Sequence, residues 1–465
     1  MRWCMAAGST PGGTRMACDR ARRAGALLLV LLLGGCVSYQ PRPLAQAPRW
    51  SPLPAAAPGR ALPRLDLKQA VALALHDNPD YRAALLDARI STLQLRAAGL
   101  LPDPQLSASA DHPGTPGYSR AWGLGLSADV SWLLTRGATL DAARAQRTAT
   151  LLNLAWRGWA LAQGTATDFI DAWSAQQRCA LLQRQVDTER TRAAAFSRAL
   201  QRRDVTLENA AANLVTLAAA ESQLASAEQA RAAARARLDA DLNLPPDARY
   251  TLRAPSVLAL PDAHQLDAAL AALPRTRPDL LALAAAAQAR DAEFRAAVLA
   301  QFPALSVGIT RASDTSRVHS TGIGISLSLP VFGGAQARAR IAGATRDRAV
   351  AEYQARLDGA DRAARALAAQ LRLLVAQRAQ LVGHLPQLRE LAANADRAFA
   401  GGNLSGTAWA GVQQNLIARE LERLYLDATL AKGQVALAAL LGHVPPGAAA
   451  LSTATSSNPA EVPIP

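Results

Sequence analysis

Residues 122 to 132, "WGLGLSADVSW", carry large apolar side chains on every second position: Trp122, Leu124, Leu126, Ala128, Val130 and Trp132. Gly123, Gly125, Ser127, Asp129 and Ser131 fill the positions between. A period of two predicts a β-strand with one apolar face and one small or polar face. The pattern returns in "GIGISLSLPVF", residues 322–332, with Ile323, Ile325, Leu327, Leu329 and Val331 on the matching face. A second strand is expected before each, giving strands near 104–112 and 120–132, then 303–311 and 320–332. The turn-rich segments "DHPGTPGYSR" and "RASDTSRVHS" connect them.

Everywhere else the pattern is helical, and it is written twice. Asn78-Pro79-Asp80 returns as Arg277-Pro278-Asp279, "RAAGL" (96–100) as "RAAVL" (295–299), and Pro104-Gln105-Leu106-Ser107 as Pro303-Ala304-Leu305-Ser306. Asp204-Val205-Thr206 matches Asn403-Leu404-Ser405, and Leu238 and Leu242 match Leu437 and Leu441. All share one offset, which is the mark of an internal repeat. Each copy predicts a first helix (about 66–100 and 277–301), two strands and a long helical hairpin. No proline falls between Pro116 and Pro245, so helix is expected from about Gly137 to a break near Arg203–Thr206, a rod on the order of 100 Å. Gly383 and Pro386 predict a kink in its counterpart. In the returning helix Ile417, Leu421, Leu424, Ala428, Ala431, Val435 and Ala438 alternate spacings of four and three, a coiled-coil seam.

Composition narrows the classes. The chain has 465 residues, 50% hydrophobic but only 4% aromatic, so its apolar content is mostly Ala, Leu and Val, suited to extended helix packing. The net charge of +14 is nearly all arginine, since Lys68 and Lys432 are the only lysines. The arginines are interspersed with Asp, Glu and Ala and form no nucleic-acid motif, which favours a solvated helix surface over a nucleic-acid partner. Four dispersed cysteines and six dispersed histidines give no metal-ligand spacing or disulfide framework. No Ser/His/Asp arrangement, paired acids or phosphate-cradling loop points to an enzyme, and no cofactor is expected.

The N-terminus reads as an address. Arg20, Arg22 and Arg23 precede the apolar run "AGALLLVLLLGGC", the charge and length of a signal peptide. Leu33-Gly34-Gly35-Cys36 resembles a bacterial lipobox, which would make Cys36 a lipidated first residue; an ordinary signal peptide with a chance cysteine is the alternative. Met16 is an alternative start. Val37 follows the cysteine where an aspartate would suggest inner-membrane retention. Prolines 41, 43, 48, 52, 54, 58 and 63 describe an extended tether. The organisation expected is a signal peptide (1–35), a lipidated tether (36–64), repeat 1 (65–244), a linker (245–276), repeat 2 (277–443) and a loose tail (444–465).

Strands of nine to eleven residues with one apolar face have the length of tilted transmembrane β-strands, and Trp122 and Trp132 stand where two interfacial girdles would lie. Four strands cannot close a barrel, and lipid does not tolerate an open sheet edge. An oligomeric barrel is therefore expected, with Trp122, Leu124, Leu126, Val130, Trp132, Ile323, Ile325, Leu327, Leu329 and Val331 facing lipid.

At "LDLKQAVALALHDNPDYRAALLDARI", "AAGLLPDPQLSAS", "RPDLLALAAAAQARDAEF", "FPALSVGI" and "ISLSLPVFGG" the chain resembles the TolC-like outer-membrane efflux proteins, over about residues 65–443. The resemblance implies a mainly α fold with a small transmembrane β part. A homotrimer would form a twelve-stranded β-barrel continued by a periplasmic coiled-coil tunnel. It implies an exit duct that conducts passively what an inner-membrane pump and a periplasmic adaptor deliver. Arg203, Asp204, Val205 and Thr206, and Gly402, Asn403, Leu404 and Ser405, would be the tips where the adaptor docks; Asp204 departs from the family's Gly-containing turn. Arg202, Asp396 and Arg397 are candidate aperture charges, with a solvated helix end as the alternative. "GISLSLPVFGG" is most similar to the heavy-metal branch. The rival readings are a lipid-anchored periplasmic coiled-coil tether and a type I secretion exit duct.

Overall fold

The computed structural model describes residues 39–53, 62–255, 260–445 and 447–448. Cys36, the signal segment and nearly all of the tail lie outside the described residues. Two units divide the chain, Met1–Arg49 and Trp50–Pro465. In the first, residues 39–49 are exposed and carry neither helix nor strand. The second holds every element that follows.

Its elements run β1 (Arg64–Leu65), α1 (Leu67–Asp77), α2 (Pro79–Ala98), β2 (Gln105–Asp111), β3 (Ala121–Asp129), α3 (Trp132–Gln201) and α4 (Leu207–Asp241). Then come β4 (Thr251–Leu252), α5 (Ala263–Thr276), α6 (Pro278–Leu299), β5 (Ala304–Ser313), β6 (His319–Ser328), α7 (Gly334–Ala400) and α8 (Gly406–Leu440). β1 and β4 pair in parallel, tying the stretch before α1 to the stretch after α4.

Local chemistry explains the starts. Asp66 and Gln69 form a reciprocal capping box on α1, and Asp262 and Gln265 form another on α5. The expected first helix is instead two: Asn78 ends α1 and caps α2, accepting from the amides of Asp80 (3.1 Å) and Tyr81 (3.0 Å), with Pro79 at the first helical position. A second correction concerns 245–276. That stretch is not merely a linker, because α5 occupies 263–276 and stands to α6 as α1 stands to α2.

The long helices are single. α3 is 70 residues, about 105 Å, and α7 continues as helix through Gly383 and Pro386. Small residues dominate their buried seams: Ala220, Ala227 and Ala234 on α4, and Ala360, Ala364 and Ala368 on α7. A seam of alanines lets helix axes approach closely. The larger apolar residues gather around α1 and α5. One cluster joins Leu65, Phe169, Leu238, Leu242 and Tyr250. Another joins Leu266, Leu273, Leu280, Leu371, Leu430 and Leu437. A third, with Trp159, Ile170, Ala428 and Val435, bridges α3 and α8. Among the described residues no helix is long and apolar enough to cross a membrane.

Candidate functional site

Four strands form one antiparallel sheet in the order β2-β3-β5-β6. Directly paired residues of antiparallel strands point to the same face, so the register assigns every side chain. One row runs Leu106, Leu126, Ile309, Ile323 across all four strands. The rows beside it add Ala128, Val307 and Ile325 below, and Ala108, Leu124, Arg311 and Thr321 above. Leu106, Leu124, Leu126, Ile309, Ile323, Ile325 and Leu327 are all exposed. This is a contiguous apolar surface on a single chain, of the kind that marks a contact with lipid or a partner.

The other face is Gln105, Ser107, Ser109, Gly123, Gly125, Ser127, Ser306, Gly308, Thr310, Gly322, Gly324 and Ser326. A Cβ on Gly125 would lie 2.6 Å from Ser107 Oγ, and one on Gly308 would lie 3.0 Å from the Leu126 carbonyl oxygen. Neighbouring strands therefore crowd on this side along β3 and β5, whereas Gly324 on edge strand β6 faces open space. Strands β2 and β6 are the two edges, each without a further strand partner among the described residues.

Four residues expected on the apolar strand face lie outside the strands. β3 ends at Asp129, whose carboxylate accepts the backbone amide of Ser131 at 2.8 Å. Ser131 stands at the N-cap position of α3 without a side-chain capping bond, so Val130 sits in the bend and Trp132 opens the helix. Trp132 is thus not the second girdle of a strand; its ring carries the Arg136 guanidinium 5.4 Å from its centre. Leu329 and Val331 follow the end of β6, where Pro330 has no amide to continue a ladder. Both remain exposed, next to Phe332.

At the far ends of the long helices the two hairpin turns match. Ala199 accepts from Asp204 (2.9 Å) and Leu200 from Arg203 (3.0 Å); Ala398 accepts from Asn403 (2.8 Å) and Phe399 from Gly402 (3.0 Å). Each is a helix end closed by a left-handed residue: Arg203 at φ 64° and Gly402 at φ 73°. Thr206 and Ser405 then cap the returning helices. Asp204 does not alter the turn; the difference is that arginine, not glycine, holds the left-handed position. Val205 and Leu404 occupy equivalent places just before the caps.

Each candidate aperture charge has a partner within the chain. Arg202 pairs with Asp204 at 3.1 Å in solvent, and Arg397 bonds Asn394. Asp396 accepts from Trp409 Nε1 and Gln413 Nε2, both at 2.7 Å, fastening α7 to α8 beside the stacked rings of Phe399 and Trp409.

A second set of charges, not singled out by the sequence, joins the two hairpins. Glu420 of α8 accepts a hydrogen bond from Arg389 of α7 (3.2 Å) and forms an ion pair, poorly aligned for hydrogen bonding, with Arg184 of α3 (3.1 Å). Glu189 of α3 is fully buried, paired with Arg192 at 2.6 Å and bonded to Gln414 of α8. Only their partners across the fold distinguish these residues from ordinary helix-surface charges. Among the described residues no His, Cys, Asp and Glu group could hold a metal ion.

No family model matches the sequence, and no curated protein matches it. Solved structures do match. The chain is similar to CusC, a protein described as undergoing conformational changes in folding and transmembrane channel formation. That match has 19% identity and a TM-score of 0.67, covering 88% of this chain and 99% of that one. It is similar to the MtrE outer membrane channel of Neisseria gonorrhoeae in its open state, with 19% identity, TM-score 0.68, and coverage of 88% and 98%. The CmeC outer membrane channel of Campylobacter jejuni gives 16% identity, TM-score 0.69, and coverage of 84% and 89%. The fold is that of these outer-membrane channels.

Proposed function

We propose that this chain is one subunit of an outer-membrane efflux duct. In this reading three copies close a twelve-stranded barrel, and their long helices continue it as a coiled-coil tunnel into the periplasm. The observation that carries the reading is the sheet, apolar and exposed on one face, small and polar on the other, with both edges open. Within a bilayer such edges must pair. Because β2 and β6 run in opposite directions, β6 of one copy can pair antiparallel with β2 of the next. A head-to-tail contact of that kind closes into a ring. The matching folds of outer-membrane channels support it.

The apolar face then meets lipid, and the glycine-serine face lines water. The work is passage and not chemistry: a pump spends energy, and the duct provides an exit. The turns at 203–206 and 402–405 would receive a periplasmic adaptor. The ties through Glu420 and Glu189 hold the two hairpins of one chain together, so opening would shift packed helices between two arrangements. Cys36 is the proposed lipidation site, and metal cations or drugs are the candidate cargo.

The test is purification from outer membranes in detergent, followed by mass measurement and bilayer recording. A β-containing trimer with discrete conductance is expected. A detergent-free soluble monomer would refute the reading and favour the lipid-anchored tether. That rival leaves the exposed apolar sheet face without a use. Cysteine placed within 113–118 should also be labelled on intact cells.

A further inference from the structure

Arg311 lies on the wrong face for a charge. The register pairs it with Leu124 on one side and Thr321 on the other, so it projects from the apolar face, not the glycine-serine one. It is exposed, and among the described residues no carboxylate pairs with it. An ionisable residue on a lipid-facing surface calls for a named partner.

Its neighbours suggest which. The row beyond it runs Trp122, Ser313, His319, and the Trp122 and His319 rings stand 6.5 Å apart over the buried Ser313. Arg311, Thr321 and His319 thus form a polar patch bordered by a tryptophan, at the end of the sheet that carries the hairpin loops. Ser119 donates its amide and hydroxyl to the Thr315 carbonyl oxygen, both at 2.9 Å, joining the two loops. Arg120 and Arg317, also exposed and without a carboxylate partner among the described residues, flank that junction. Neither carboxylate nearby pairs with them. Asp111 pairs with Ala121 on the other face, and Asp314 accepts the amides of Ser316 and Val318. At the helix end of the same face the outward residues are Leu305, Leu327, Ala128 and Val307, with no charge.

We infer that Arg311, with Thr321 and His319, binds a phosphate on the head group of a phosphorylated glycolipid in the outer leaflet. The inference rests on the outer-membrane reading. Guanidinium matches phosphate geometry with two parallel donors. The tryptophan sets the depth of the head group, while Arg120 and Arg317 add attraction at the rim.

The full chain, extracted from outer membranes and stripped of lipid by detergent exchange, is titrated with lipopolysaccharide, with the same lipid after phosphatase treatment, and with inorganic phosphate. The phosphorylated lipid should bind the native ring; phosphatase treatment or Arg311→Gln should each weaken binding about tenfold, and Arg311→Lys should keep part of it. Equal binding by Arg311→Gln overturns the site, and displacement of the lipid by inorganic phosphate at matched concentration overturns the glycolipid as its ligand. Ring formation and conductance are recorded on the same samples. Absence of the ring in the native protein removes the duct reading, whereas a normal ring with Arg311-independent lipid binding removes only this inference.

Discussion

Gly433 of α8 faces Leu371 of α7, a fully buried residue of the second half's cluster. A Cβ at 433 would overlap Leu371 Cδ2 and stand 3.3 Å from its Cγ and 3.5 Å from its Cδ1. Only Cδ2 overlaps outright, but Leu371 is buried on all sides and has little room to turn away. Gly433→Ala should therefore cost about 3 kcal/mol in overpacking, offset by about 1 kcal/mol of gained helix propensity, a net loss of about 2 kcal/mol. Leu371→Ala alone should cost about 3 kcal/mol for a partly collapsed cavity. The first half indicates how the two combine. The residues 199 positions earlier are Ala234 and Ala172, both buried in one cluster. The double variant recreates that pair, removes the clash and partly refills the space, so it should cost about 2 kcal/mol instead of the additive 5 or so. Urea or thermal unfolding of the detergent-purified protein, followed by helical circular dichroism, measures all three. If the double variant equals the sum of the singles within about 0.5 kcal/mol, the two positions do not exchange volume and the comparison of halves fails.

Glu420→Gln weakens the contacts with Arg184 and Arg389, both half-exposed, so a loss of about 1 kcal/mol is expected after solvent screening. In bilayers this should raise the open fraction several-fold, and an unchanged open fraction would remove Glu420 from the gate. Arg203→Gly should stabilise the first tip by about 1 kcal/mol by relieving a left-handed arginine. Slower amide exchange at 199–206 would register the gain, and faster exchange would contradict it. Burial pushes the Asp241 carboxyl from 3.8 to about 6, with the charge of Asp168 adding to the rise. A folded-state value above the unfolded one means that its contribution is fully present below pH 3.8 and lost as pH rises through about 6. Asp241→Asn should thus raise the melting temperature at pH 7 but not at pH 4. An equal effect at both pH values would count against a titrating carboxylate.

Periodicity located the strands because a half-exposed sheet leaves a strict alternation in the sequence. It overran at Trp132 and Val331 because alternation continues past the point where backbone chemistry stops the strand. In one half the Asp129 carboxylate takes the Ser131 amide and the chain turns into α3, and in the other Pro330 lacks an amide. α5 is less legible for a different reason: the clearest repeat marker, Arg277-Pro278-Asp279, begins only after it, and its own signal is the Asp262/Gln265 capping box. The junctions show how unlike residues can do one job. Asn78 Nδ2 reaches the Asp241 carbonyl oxygen (3.3 Å), and Arg277 Nη1 reaches that of Leu440 (3.2 Å), 199 positions on in both donor and acceptor. Arg277 also binds Asp279, and with Arg356 it holds that carboxyl below its ordinary range despite burial. The ties through Glu420 and Glu189 were invisible in the sequence, since partners more than thirty and two hundred residues apart obey no local spacing.

The two hairpins of the sheet differ where differing is harmless. Gln105 pairs with Ser127, so an offset of 199 would place Ala304 opposite residue 326, yet it pairs with Ser328. The slip is two residues, and the connecting loops, 112–120 in one hairpin and 314–318 in the other, differ as well because β5 and β6 stay paired closer to their turn. A slip of two preserves the face of every side chain, whereas a slip of one reverses it. Had the slip been odd, Ile323, Ile325 and Leu327 would share a face with Gly123 and Gly125. The continuous row from Leu106 to Ile323 would then break in the middle of the sheet. Loop length and pairing register could drift between the halves, but parity could not, because parity alone decides which face is apolar. That constraint is expected of a sheet whose two faces meet different solvents, and a sheet with water on both sides would not impose it.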